Sequence, residues 1–70
     1  MEYLVVIEPT ASEFSAYSPD LPGRVSTGAT REEAERNMRE AIELHLVGLR
    51  EEGYDVPEPG TSSAYVEVTA

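Results

Sequence analysis

The sequence contains no cysteine and a single histidine, His45, among its 70 residues. These absences exclude disulfide bridges and the Cys/His clusters that form structural zinc sites. A chain this short buries only about 60% of the surface that its unfolded form exposes, so its core alone provides little stability. Self-association is the remaining source of additional stability, so we expect at least a homodimer. We expect no cofactor.

Long apolar runs are absent as well. A signal peptide needs a basic start and an apolar stretch of about 7–15 residues. This chain begins Met1-Glu2, and its first apolar run, residues 3–7, is shorter. A transmembrane helix needs roughly 20 apolar residues, and no such run is present. The sequence therefore predicts a cytoplasmic protein without a membrane association.

Positive charge is scarce. Five arginines are the only basic residues apart from the histidine, against fourteen acidic residues, and the formal net charge is −9. Affinity for nucleic acid comes mostly from basic side chains that displace counterions, so this charge argues against direct nucleic-acid binding. A basic protein is the better candidate partner, and the alternative is that the acidity serves solubility alone.

Four segments have the composition of β-strands: residues 3–7, 13–18, 24–27 and 64–68. The first has no polar break, which is typical of a central strand covered on both faces. The second alternates between apolar and polar residues and is predicted to form an antiparallel hairpin with the first. Pro22-Gly23 suits the centre of a type II turn before the third strand.

One long amphipathic helix is predicted between the third and the last strand. Thr30 and Glu33 match a capping box, in which the Thr30 hydroxyl accepts from the Glu33 amide and Glu33 reaches back to the Thr30 amide. Gly53 is a suitable terminator, which gives a helix of about 22 residues. Apolar residues at spacings of three and four form a stripe that should cover one sheet face: Ala34, Met38, Ala41, Ile42, His45, Leu46 and Leu49.

The predicted order is strand, strand, strand, helix, strand, which is an α+β fold. The crossover rule makes the last strand parallel to the first, beside which it can pair. One helix covers one face, so the other face is open to a partner or a second copy. Leu44 and Val47 lie off the apolar stripe. We favour this flank as the oligomer interface, with the open sheet face and simple exposure as alternatives.

Five ordered blocks resemble the HicB antitoxin family. They are Tyr3-Leu4-Val5-Val6-Ile7-Glu8, Phe14-Ser15-Ala16-Tyr17, Pro19-Asp20-Leu21-Pro22-Gly23, Thr30-Arg31-Glu32-Glu33-Ala34 and Ala41-Ile42-Glu43, followed by a similar tail at Pro57-Glu58-Pro59. The resemblance implies a partial ribonuclease H-like βββαβ fold. It also implies the antitoxin of a type II toxin-antitoxin system, which neutralises a basic HicA-type mRNA-cleaving toxin by masking its RNA-binding and catalytic face.

Two features depart from that family. Arg24 stands where many members have cysteine, which changes the local packing. Many members also continue into an operator-binding domain, whereas residues 1–70 are predicted to form a single domain without one. Autorepression by this chain alone is therefore not expected. An orphan self-assembling structural or regulatory module is the alternative function, and an adjacent gene for a small basic protein would argue against it.

The predicted toxin-contact residues are Tyr17, Asp20, Leu21 and Pro22, which combine an aromatic ring, an acid and a rigid apolar turn. A purely structural role for this turn is the alternative. Glu8 and Asp20 are the obvious acids for a metal-dependent nuclease, which needs several carboxylates around two ions about 3.5–4 Å apart. Both are better explained as ordinary solvated acids, Glu8 at the end of a strand and Asp20 in a turn. We therefore predict no catalytic residue and no enzymatic activity.

Overall fold

The computed structural model describes residues 1–69 and confirms the α+β class. Three strands, β1 (Val6–Pro9), β2 (Phe14–Tyr17) and β3 (Val25–Gly28), precede one helix, α1 (Arg31–Glu51). The strands form an antiparallel sheet in the order β1-β2-β3. Within the described residues, no helix is long and apolar enough to cross a membrane.

Helix α1 begins and ends at the predicted signals. The Glu33 amide donates to Thr30 Oγ1 at 3.1 Å, but Glu33 Oε1 accepts from the Ala29 amide at 3.1 Å, one residue before the predicted donor. At the other end, Gly53 has a φ of 76°. The Tyr54 amide donates to Leu49 O and the Gly53 amide to Arg50 O, which is a Schellman motif.

The apolar stripe of α1 packs against one face of the sheet. Four of its seven members are buried and the other three are half-buried, as the periodicity predicted. On the sheet, Ala16 is fully buried opposite Ile7, and both point toward the helix. Gly28 of β3 lies so close to the helix that an added Cβ would contact the Ala34 backbone. The helix therefore rests mainly on the β3 side.

The predicted last strand is not formed. Residues 64–68 are exposed and pair with no strand among residues 1–69. The prediction that the first strand is central is therefore wrong, because β1 lies at an edge of the described sheet. Strand β1 also starts later than predicted. Its register places Val6 opposite Tyr17, so residues 3–5 extend past the end of β2 and lie opposite the turn that follows it.

Candidate functional site

The turn between β2 and β3 carries most of the predicted contact residues. The Leu21 amide donates to Ser18 O at 3.0 Å, and the Arg24 amide donates to Leu21 O at 3.3 Å. Gly23 has a φ of 81°, as the third residue of a type II turn requires. Pro22 is exposed at the tip of this turn, whereas Leu21 is only 1% exposed. Leu21 therefore belongs to the core and not to a contact surface.

Asp20 holds the segment that follows α1. Its Oδ2 accepts from the Gly60 and Thr61 amides at 3.3 and 3.2 Å, and its Oδ1 accepts from the Thr61 hydroxyl at 2.8 Å. Thr61, and to a smaller extent the Gly60 amide, lower the pKa of the Asp20 carboxyl below its ordinary value of 3.8. Asp20 thus has a structural role that its position in a turn did not predict.

Tyr17 and Val25 form an exposed apolar pair on the sheet face opposite the helix. They lie opposite each other in the β2–β3 register. Ala16, which precedes Tyr17 in β2, is buried on the other face of the sheet, toward the helix. Val25 is 62% exposed and was not among the predicted contact residues. The sequence signal for Val25 was its expected pairing with Tyr17 across the hairpin, because residues that are paired directly across two strands share a face.

The helix flank lies next to this pair. Leu44 is 75% exposed and lines a shallow groove of about 500 Å³ together with Val25 and Tyr54. Val47 is exposed on the same helix but does not line the groove. Val25 therefore lies between two residues that were predicted for separate surfaces, Tyr17 for the toxin contact and Leu44 for the oligomer interface. Together these residues offer a shallow surface with an apolar centre.

The acidic side chains of residues 1–69 do not converge on a metal site. Across residues 1–69, no group of three or more His, Asp or Glu side chains is placed to hold a metal ion. Glu8 is exposed near the end of β1, while the carboxylate of Asp20 is engaged by Gly60 and Thr61. In the same part of the chain one ion pair forms, between Arg31 and Glu35 at 3.7 Å. Most of the negative charge is thus left without an ionic partner among the described residues.

Comparison with known proteins gives a consistent picture. The model of a family described as HicB_like antitoxin of bacterial toxin-antitoxin system matches residues 3–69. A solved chain from the HicA3 and HicB3 toxin-antitoxin complex superposes with a TM-score of 0.70 at 32% sequence identity. The superposition covers 86% of this chain and 70% of the other.

Two curated relatives also match. An uncharacterized 14.9 kDa protein from the rep-hol intergenic region of Haemophilus phage HP1 is 33% identical over 66 residues, which cover 94% of this chain. A UPF0150 protein from Helicobacter pylori is 50% identical over 44 residues, or 63% of this chain. The matched regions span 50% and 61% of the lengths of these two relatives.

Proposed function

The chain belongs to the HicB-like antitoxin family of bacterial toxin-antitoxin systems, and we propose that it binds and neutralises a basic toxin of the HicA type. The observation that carries this proposal is the 32% identical structural match, over 86% of the chain, to a component of the HicA3 and HicB3 complex. In the proposed complex the antitoxin covers the RNA-binding and catalytic face of the toxin. It needs no catalytic residue of its own.

The proposed contact surface consists of Tyr17, Val25 and Pro22, with Asp20 beside them. Tyr17 and Val25 supply an exposed apolar centre, and aromatic residues at such positions contribute strongly to binding. Pro22 presents a rigid turn that loses little conformational entropy on binding. Asp20 adds negative charge at the rim, and buried Leu21 supports the turn from below.

Charge complementarity supports a basic partner. The net charge is −9, and among the described residues one acidic side chain, Glu35, forms an ion pair, so long-range attraction to a positively charged toxin is strong. Such attraction raises the rate of association more than it lowers the rate of dissociation. The association rate with the toxin should therefore fall steeply as salt is added, while the dissociation rate changes little.

The decisive experiment is co-expression with the product of the adjacent gene, if that gene encodes a small basic protein with a histidine. We expect co-purification and relief of the growth arrest that the toxin causes alone. Tyr17→Ala should weaken the measured affinity at least tenfold, which corresponds to about 1.4 kcal/mol. Val47→Ala is the matched control, because it truncates an exposed apolar side chain elsewhere and should leave the affinity unchanged.

Two results would contradict the proposal. One is a toxin that binds the wild-type chain without any loss of toxicity. The other is an equal loss of affinity in both variants, which would place the contact outside the Tyr17–Val25 pair. An adjacent gene of another kind, with no protein captured, would favour the orphan self-assembling module instead.

A further inference from the structure

The groove between β3 and the end of α1, here called the α1–β3 groove, is open in the folded chain. Its walls carry three exposed apolar side chains: Val25 from β3, Leu44 from α1 and Tyr54 just beyond the helix. The Schellman motif fixes the backbone of Tyr54, because its amide donates to Leu49 O at 2.9 Å. The groove therefore has an apolar lining whose position is set before any partner binds.

Gly48 lines the groove, and no contact among residues 1–69 requires glycine there. Glycine inside a helix is destabilising relative to alanine. At Gly28 the close approach of the Ala34 backbone explains the glycine, whereas a Cβ at Gly48 would meet no atom within 4 Å. Gly48 also lacks the positive φ of Gly23 and Gly53. The role that is left for this glycine points outward, because it lets the backbone of another molecule approach the helix closely.

The helix end of the groove favours a positive charge. Glu51 and Glu52 line it and are exposed, against one arginine, Arg24, on the β3 wall. Neither acid forms an ion pair among residues 1–69, where the ion pair joins Arg31 to Glu35. The carbonyl groups in the last turn of α1 add a partial negative charge at the same end. A cationic group of a partner would therefore be stabilised next to the apolar lining.

A basic protein fits this groove better than a second copy of the chain. Each copy has a net charge of −9, and a symmetric contact through the groove would bring Glu51 and Glu52 of both copies together. The groove is also continuous with the proposed contact surface, because Val25 lines the groove and pairs with Tyr17 in the sheet. A toxin that covers Tyr17 and Val25 therefore meets the groove as well.

We propose that the α1–β3 groove is a second part of the toxin contact, in which toxin backbone lies against Gly48 and a basic toxin side chain lies beside Glu51 and Glu52. This inference rests on the proposed antitoxin function. An apolar toxin side chain fills the space between Val25 and Leu44. Gly48 thus makes the free helix less stable but admits the partner, so a larger residue at this position moves stability and affinity in opposite directions.

Calorimetric titration with the small basic protein of the adjacent gene tests Gly48. Gly48→Leu blocks the approach to the helix and should weaken the affinity by about tenfold or more. The urea midpoint of the free variant should rise, because leucine is a better helix former than glycine. Val47→Phe adds a similar volume at the neighbouring exposed position, outside the groove, and should leave the affinity unchanged. A purely structural role for Gly48 would not move stability and affinity in opposite directions.

Two pairs of charge variants test the basic contact. Glu51→Gln combined with Glu52→Gln removes both acids from the groove and should raise the dissociation rate of the complex. Glu2→Gln combined with Glu43→Gln makes the same change of net charge in a separate groove of about 440 Å³, which lies beside β1. This second pair should lower the association rate at low salt and leave the dissociation rate unchanged.

The results distinguish a failure of the groove contact from a failure of the antitoxin function. Wild-type affinity in Gly48→Leu, or an equal loss in Val47→Phe, overturns the groove contact and leaves the antitoxin function standing. Equal dissociation rates in the two charge pairs overturn the basic contact. A lower mass of free Gly48→Leu in light scattering would mean that a second copy occupies the groove, which also overturns the inference. A wild type that does not bind the toxin overturns the antitoxin function and the groove contact with it.

Discussion

Two neighbouring residues in the β2–β3 turn have opposite environments. The Leu21 side chain is buried beneath the turn, while the Asp20 carboxylate accepts three hydrogen bonds from Gly60 and Thr61. Both residues were predicted as contacts because the segment combines an aromatic ring, an acid and a rigid apolar turn. These hydrogen bonds make Asp20 the residue that fixes Gly60 and Thr61, in the segment that follows α1.

The first prediction concerns the protonation of Asp20. Its pKa in the folded protein is below 3.8. A lowered pKa means that the stabilisation of the Gly60–Thr61 attachment by Asp20 is fully present above the ordinary pKa and is lost as the pH falls through the folded pKa. The amide resonances of Gly60 and Thr61 should therefore move with a midpoint below 3.8.

Asp20→Asn is the control for this titration, because it removes the charge at nearly the same size. In that variant the movement of both amide resonances below pH 3.8 should disappear. The Met38 methyl resonance reports on the core and should stay constant through the transition. A midpoint at or above 3.8 in the wild type would mean that Thr61 does not stabilise the carboxylate.

At the scale of elements, the position of α1 depends on a close approach to β3. The backbone of Ala34 lies over Gly28, where any side chain would contact it. Asn37 then bonds to Thr27 O one residue before Gly28 along β3. These two contacts place the helix over β3 and leave the groove beside β1 open.

The second prediction tests this approach with two glycines. Gly28→Ala forces the helix backbone away from β3 and should lower the free energy of unfolding by about 1–3 kcal/mol. Gly48 lies within α1, and a Cβ there meets no atom within 4 Å. Gly48→Ala should therefore raise the free energy of unfolding by roughly 0.5–1 kcal/mol, because alanine is the better helix former. Urea denaturation measures both, and equal signs for the two changes would refute the close approach.

At the scale of the whole molecule, charge decides which partners are attracted. The net charge is −9, and the five arginines are spread along the sequence from Arg24 to Arg50. A large net negative charge repels phosphate groups and attracts basic proteins. The same charge would also oppose self-association, so a dimer of this chain requires apolar contacts and strand pairing to hold it.

The third prediction is that residues 1–70 do not bind duplex DNA or RNA at about 0.15 M salt. Fluorescence anisotropy of a labelled duplex should stay constant up to micromolar protein. Repeating the titration at tenfold lower salt is the sensitive control, because any binding through phosphate contacts strengthens there. Saturable binding at the higher salt would contradict the prediction.

The local features of this protein followed from its sequence alone. The helix start at Thr30, its end near Gly53 and the type II turn at Pro22-Gly23 agree with the structure because each depends on residues within a few positions of one another. The apolar stripe of α1 was equally predictable, since the helical period fixes which side chains share a face. The order of the first four elements followed from the same local patterns.

Only the tertiary structure decided how distant segments meet. It placed Leu21 in the core, used Asp20 to hold Thr61, and brought Val25 beside Tyr17 and Leu44. It also left residues 64–68 unpaired, although their alternation predicts a strand. The physical reason is that a helix satisfies its hydrogen bonds within itself, whereas a strand needs a neighbour, and a strand's own sequence does not specify which neighbour that is.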